Sequence, residues 1–275
     1  MRPLGPIMVI DLFPEILDEL LSLLSGLSTE EWAKPTACPS WSVKDVALHL
    51  LGDDIGILSR QRDGFSFDLP IQGWEELVAL INTGNETWVH TTRGISSRLL
   101  CELLGFTGPK VHEYFCSLDP NSIGGPVSWA GPDPAPVWLD LAREYTERWH
   151  HQQHIRDAVD RPGLKQPRFF APVLDTFVRA LPHTYRRVAA VDGTLVTLTI
   201  VGDSGNRWSL LREGERWNLY QEISRKPDVE IVMGEEIAWR AFTRGLSRNK
   251  IESQVKILGD QSLGAKILDT VSIIA

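Results

Sequence analysis

Residues 36–50 read TACPSWSVKDVALHL. The stretch divides at Ser42. Before it, Pro35 and Pro39 hold the chain in an irregular connection. After it a helix begins. Ser42 is a good N-cap, and Asp45 three residues on gives a Ser-x-x-Asp variant of the capping box. Trp41 and Val46 flank the cap where a hydrophobic staple belongs. The helix then runs through VKDVALHLLGDDIGILSRQ (43–61), with Gly64 and Pro70 closing the region. His49 therefore sits about two turns into a helix, among Leu48, Leu50 and Leu51. A single histidine on such a face is more often a satisfied core residue than a ligand, so a functional reading needs partners from elsewhere.

Outward from this helix the pattern stays helical. Residues 10–27 (IDLFPEILDELLSLLSGL) repeat apolar side chains at three- and four-residue steps and stop at Gly26. Further helices are expected over 74–92 and 96–118, the latter with a break at Gly105–Pro109. The stretch 119–137 is rich in proline and glycine and reads as a long loop, placed to roof a pocket. A helix from about Ala135 to Val159 ends before Arg161-Pro162-Gly163. Beyond residue 163 the character changes. A helix is expected over 171–190, then β-type runs TLVTLTIVG, RWSLLR, RWNLY and VEIVMG, then helices at 235–244 and 261–272 around the strand in VKILGD. The expected architecture is α+β: an N-terminal up-down four-helix bundle over 1–163 and a smaller α+β domain over 164–275.

The bulk numbers exclude several classes. A 275-residue chain with 43% hydrophobic and 23% charged residues has ample material for a core. A net charge of −8 without a Lys/Arg run argues against a nucleic-acid partner. Three cysteines without a CxxC pair suit reduced thiols. The N-terminus has no secretory pattern and no apolar run reaches bilayer length, so the expectation is a cytoplasmic protein without a membrane partner.

The second informative stretch is EYTERWHHQQHIRDA (144–158). Glu147 and His151 lie four apart and project from one helix face. Joined by an imidazole from another helix, such a pair makes a three-ligand metal site of the kind built inside bundles. Three protein ligands leave a coordination position open, as catalytic zinc sites do. Spacing alone leaves rivals open, because His150 and His154 form an i, i+4 pair on a neighbouring face.

Both stretches resemble the mycothiol-dependent maleylpyruvate isomerase family, whose N-terminal domain is a DinB-like metal-binding four-helix bundle. Its Thr-x-Cys-Pro-x-Trp-x-Val-x-Asp-Val-x-x-His-Leu pattern falls without a gap on Thr36, Cys38, Pro39, Trp41, Val43, Asp45, Val46, His49 and Leu50. Its Glu-x-x-x-His helix running into Ile-Arg falls on Glu147, His151, Ile155 and Arg156. The resemblance implies a divalent metal, Zn²⁺ or a neighbour, held by His49, Glu147 and His151. The residue before Ile155 is usually acidic in the family and is His154 here. The C-terminal stretch AWRAFTRGLSRNKIESQVKILGDQSLGAKIL resembles a sterol-carrier-like domain, from which the family takes a catalytic arginine; Arg244 is the candidate. The resemblance also implies a low-molecular-weight thiol cosubstrate, mycothiol or another. A metal-activated thiolate would then add to an electrophilic small molecule, giving cis–trans isomerisation or S-transfer.

Bland readings stand beside these. Cys38 reads as a small thiol packed under Trp41, Asp45 as a capping charge, Trp149 as core or pocket wall, and Arg156 as a surface partner of Asp157 or a glutamate. His150 and His154 read as lying around the metal ligands or exposed. The alternative function is a non-catalytic lipid- or small-ligand-binding protein with a structural or vestigial metal site, which requires a large apolar cavity. A thiol sensor and a water-activating hydrolase rank behind it.

Overall fold

The structure is a computed structural model that describes residues 1–65 and 73–273, with Trp74 described by its backbone alone. Pro70, expected to help close the second helical region, lies outside the described residues. The chain forms two compact units. One gathers Val9–Asp119 and Glu144–Leu164 and is helical. The other gathers Met1–Met8, Pro120–Arg143 and the chain from Lys165 on, and carries a sheet with its helices. The α+β class expected from the sequence is the one observed.

In the helical unit, α1 (Phe13–Ser25) follows a 3₁₀ turn over Ile10–Leu12 and stops at Gly26. It buries Phe13, Ile16, Leu20, Leu23 and Leu24, the three- and four-residue stripe read from the sequence. A short α2 (Thr29–Trp32), not anticipated, is fixed by a Ser28/Glu31 capping box. Helix α3 (Val43–Gly56) runs on as a wider π-helical stretch, Ile57–Arg62. The expected box at its start is present: Ser42 Oγ accepts from Asp45 N–H, and the Asp45 carboxylate accepts from Ser42 N–H. Helices α4 (Trp74–Thr92), α5 (Ser97–Ser117) and α6 (Val137–Val159) follow. One core joins Leu20 and Leu24 of α1, Val43, Val46, Ala47, Leu50 and Leu51 of α3, Leu100 and Leu104 of α5, and Ile155 and Val159 of α6.

The break expected at Gly105–Pro109 is absent: α5 continues through Pro109. A proline inside a helix costs about 3 kcal/mol, and burial of Leu100, Leu104, Val111 and Phe115 on one face outweighs it. Gly108 brings the two helices close, for a Cβ there would lie 2.5 Å from Leu17 Cδ2 of α1.

In the sheet unit, β1 (Arg2–Pro3), β2 (Leu195–Val201), β3 (Arg207–Glu213), β4 (Arg216–Glu222), β5 (Val229–Gly234) and β6 (Lys256–Gly259) form one sheet in the order β1-β4-β3-β2-β5-β6. The β2–β5 pair is parallel and the other pairs are antiparallel. The expected helix over 171–190 starts earlier, as α7 (Pro167–Phe177), and breaks through a 3₁₀ turn into α8 (Leu181–Tyr185) with Pro182 in its first turn. Helices α9 (Glu235–Phe242), α10 (Arg248–Glu252) and α11 (Gln261–Ala265) complete the unit. The stretch 119–137, expected to roof a pocket, is anchored as structure: Val127, Trp129 and Leu139 pack with Ala180, and Ile123 bridges Pro136. Among the described residues no helix is long and apolar enough to cross a membrane.

Candidate metal centre

The site begins in the connection between α2 and α3. Val43 N–H donates to Lys34 O at 2.9 Å and Thr36 N–H to Trp41 O at 3.0 Å, closing the loop across its base. Inside it the Thr36 hydroxyl donates to Trp41 O and accepts from Cys38 N–H. Ser40 takes a left-handed conformation, φ 66°. The two prolines and these bonds fix Cys38 and Trp41 at the mouth of α3.

Helix α3 carries His49 into the interior, where it is 4% exposed. Helix α6 supplies Glu147 and His151 from one face. His151 Nε2 lies 2.9 Å from Glu147 Oε1, and His49 Nε2 lies 3.4 Å from the same oxygen. The three donor atoms lie within 4.8 Å of one another. The two histidine rings meet edge-on at 4.5 Å between centroids, and the Trp41 ring lies 5.1 Å from that of His49. The structure thus brings His49, Glu147 and His151 together.

Asp53, one turn beyond His49, was not singled out by the sequence reading. Its Oδ2 lies 3.3 Å from His49 Nε2 and is buried without a hydrogen-bond partner among the described residues. Burial raises the Asp53 carboxyl to about 6 against the pull of the His49 ring, and Glu147 adds repulsion. Burial acts the same way on Glu147, but His151 and His49 overcome it and hold that carboxyl well below the usual range. Burial disfavours the His151 charge, yet the Glu147 carboxylate and the Cys38 sulfur beside it push its pKa up to about 10.

Beside these groups lies a buried ion network. Arg148 donates to Asp54 Oδ1 and Glu144 Oε2, both at 2.8 Å, and Thr107 Oγ1 donates to Asp54 Oδ2 at 2.8 Å. Burial raises the Asp54 pKa although Arg148 opposes it. The network straps α6 to α3 through Asp54 and Arg148, the residues that follow Asp53 and Glu147.

The remaining histidines of α6 are buried: His150 is 5% and His154 7% exposed. Cys38 is half-buried at the edge of the apolar core. Its Sγ also lies 3.0 Å from His154 Nδ1 and 4.0 Å from His151 Nδ1, a contact across 116 residues that no local spacing reveals. Arg156 pairs with a glutamate, as one of its two expected partners, but from a buried position: it is 6% exposed and its guanidinium binds Glu19 Oε2 and Gln152 Oε1. Asp45 caps as expected and also pairs with Arg93 at 2.9 Å. Trp149 is fully buried and donates to Leu164 O. Arg244 belongs to the sheet unit, where it follows α9, is exposed and has a φ of 56°.

The sequence profile of the family described as mycothiol maleylpyruvate isomerase N-terminal domain matches residues 13–156. Among solved structures, a crystal structure of the mycothiol-dependent maleylpyruvate isomerase is similar at 13% identity and a TM-score of 0.51. One of a histidine-to-alanine variant of that enzyme is similar at 12% identity and a TM-score of 0.53. Each likeness covers 93% of this chain and 92% of the other. At such identity the likeness establishes the fold. No curated protein matches the sequence significantly.

Proposed function

The chain belongs to the mycothiol maleylpyruvate isomerase N-terminal domain family, and from that premise we propose an enzyme, dependent on a divalent metal and a low-molecular-weight thiol, that isomerises or conjugates an electrophilic small molecule such as an unsaturated keto-acid. The thiol is mycothiol or a chemical equivalent. The observation that carries this reading is the convergence of His49 Nε2, Glu147 Oε1 and His151 Nε2 from two helices. The donor set fits Zn²⁺, which takes imidazole and carboxylate ligands together. The buried Asp53 Oδ2 beside His49 lacks a hydrogen-bond partner among the described residues, a lack that a nearby cation or its solvent would relieve. His49, Glu147 and His151 would hold the ion, and there it would lower the pKa of a coordinated thiol as it does that of water.

The chain's own side chains would do the rest. The Glu147 carboxylate orients both imidazoles through one oxygen. Trp41 packs against the His49 ring. Arg148, paired with Asp54 and Glu144, fixes the spacing of α3 and α6. Arg244 would hold a substrate carboxylate through its guanidinium fork. A cytoplasmic setting, in which Cys38, Cys101 and Cys116 stay free, belongs to the same proposal.

The scaffold alternative, a lipid-binding C-terminal domain, needs a large apolar cavity. In the sheet unit the void among Leu181, Tyr185, Val196, Leu198, Trp208, Leu210 and Ile267 is about 10 Å³, room for no more than about one water, and the larger hollow of about 720 Å³ is lined by Asp192, Arg225, Asp228, Asp260 and Lys266, charged groups that an apolar chain would leave desolvated. The helical unit has a cavity of about 150 Å³ beside Phe13, Leu17, Leu104 and Val111, which suits a benzene-sized guest rather than an acyl chain. Activity assays with an unsaturated keto-acid and a panel of thiols, with and without chelator, test the proposal. Turnover should require both thiol and metal and vanish in Glu147→Gln. Turnover indifferent to the chelator would count against it.

A further inference from the structure

The loop that opens α3 and the buried face of α6 meet at a second set of donors. Cys38 Sγ, His151 Nδ1 and His154 Nδ1 lie within 4.8 Å of one another. The sulfur is 3.0 Å from His154 Nδ1 and 4.0 Å from His151 Nδ1. Zinc-type ions bind sulfur at about 2.3 Å and imidazole nitrogen at about 2.0–2.1 Å, so tetrahedral ligands stand about 3.5 Å apart. The observed separations straddle that value, and a small shift of one ring would equalise them. From this geometry we infer that Cys38, His151 and His154 form a second cation site, for a thiophilic divalent ion, that shares the His151 ring with the His49/Glu147/His151 group.

Three features support a site rather than a packed thiol. First, Cys38 is held in place: Thr36 Oγ1 accepts from its N–H, and the loop around it is closed at Lys34–Val43 and Thr36–Trp41. Second, His151 and His154 both direct Nδ1 at the same sulfur from successive turns of α6, while the opposite nitrogen of His151 faces Glu147 at 2.9 Å. One ring thus offers a nitrogen to each donor group, the arrangement of a bridging imidazolate. Third, the charges balance. Asp53 and Glu147, the Cys38 thiolate and the bridging imidazolate would offset two dications. Cys38 is only half-buried, which leaves an access path, whereas His154 is buried. A set of one sulfur and two nitrogens selects zinc-like or softer ions over magnesium or calcium.

This site does not depend on the proposed reaction, and its test separates the two. The full-length chain, stripped of metal by chelation, is titrated with Co²⁺, which reports thiolate ligation by a near-ultraviolet charge-transfer band. The wild type should bind two equivalents and show the band. Cys38→Ser should bind one equivalent without it. His49→Ala should keep one equivalent with the band, and His154→Gln should behave as Cys38→Ser does. Circular dichroism identifies any variant that fails to fold, and the two routes to the same loss protect against one such failure. A wild-type endpoint of one equivalent, or no band, would overturn the inference while leaving the His49 group intact. A band that persists in Cys38→Ser would come from Cys101 or Cys116, the latter 3.4 Å from His112, and would overturn it as well. Two equivalents retained in His49→Ala would instead speak against the proposed function.

Discussion

The two units of this chain bury different things. The sheet unit closes on Leu195, Leu198, Trp208, Leu210, Ile231, Trp239 and Phe242, all at most 2% exposed. The helical unit has an apolar core too, but along α3 and α6 it also buries His49, Asp54, Glu144, His150, His151, Gln152, Gln153, His154 and Arg156. Buried polar groups stabilise a fold only when fully partnered, and they are retained where position matters more than stability. The comparison teaches that the chemistry of the helical unit lies on the faces that a pure scaffold would have made apolar.

Substitution can break that contrast. Arg148→Met leaves Asp54 and Glu144 buried without their cation and should destabilise the helical unit by about 3–5 kcal/mol, read by denaturant unfolding. Trp208→Ala in the sheet unit should cost a similar amount, about 3–5 kcal/mol, by leaving a cavity, yet leave metal affinity unchanged in calorimetry. A joint loss of stability and metal affinity in Trp208→Ala would blur the distinction.

A smaller effect follows from protonation. Burial opposes the His151 charge, but the Glu147 carboxylate and the Cys38 sulfur beside it outweigh that and push its pKa up to about 10. That proton therefore contributes stability which is fully present below the ordinary histidine range and is lost as pH rises through about 10. A cation at Nε2 must displace the same proton. Metal affinity should then rise by about tenfold per pH unit across neutral pH, with about one proton released per ion by this group. Calorimetry in buffers of different ionisation enthalpy measures the release. Smallest is the cap. Asp45 has its pKa lowered: burial would raise it, but Arg93 and the Ser42 backbone and hydroxyl outweigh that. Its stabilisation is present above the usual carboxylate range and lost as pH falls through the lowered value. Asp45→Asn should cost about 1 kcal/mol at neutral pH and little in acid, as thermal unfolding at both pH values would show.

Much of this was legible because short-range rules decided it. The Ser42–Asp45 box, the stop at Gly26 and the β-type runs from Leu195 to Gly234 depend on neighbours in sequence, and the structure has them. So does the shared face of Glu147 and His151, since i, i+4 is a property of the helix itself. Long-range packing decided what went unread. The continuity of α5 through Pro109 rests on its fit to α1, and the Cys38–His154 contact on a loop meeting a helix 116 residues away. Asp53 carried a usable signal, being one turn from His49. The burial of Arg156 had none, because Glu19 reaches it from another helix.

The central claim is that His49, Glu147 and His151 hold a divalent metal. Elemental analysis of the purified chain, beside a His49→Ala/His151→Ala double variant shown to be folded, tests it most directly. The account predicts at least one equivalent of metal in the native chain and none above background in the variant, because His151 serves both donor groups. A native chain that holds no metal after reconstitution with Zn²⁺ would contradict it.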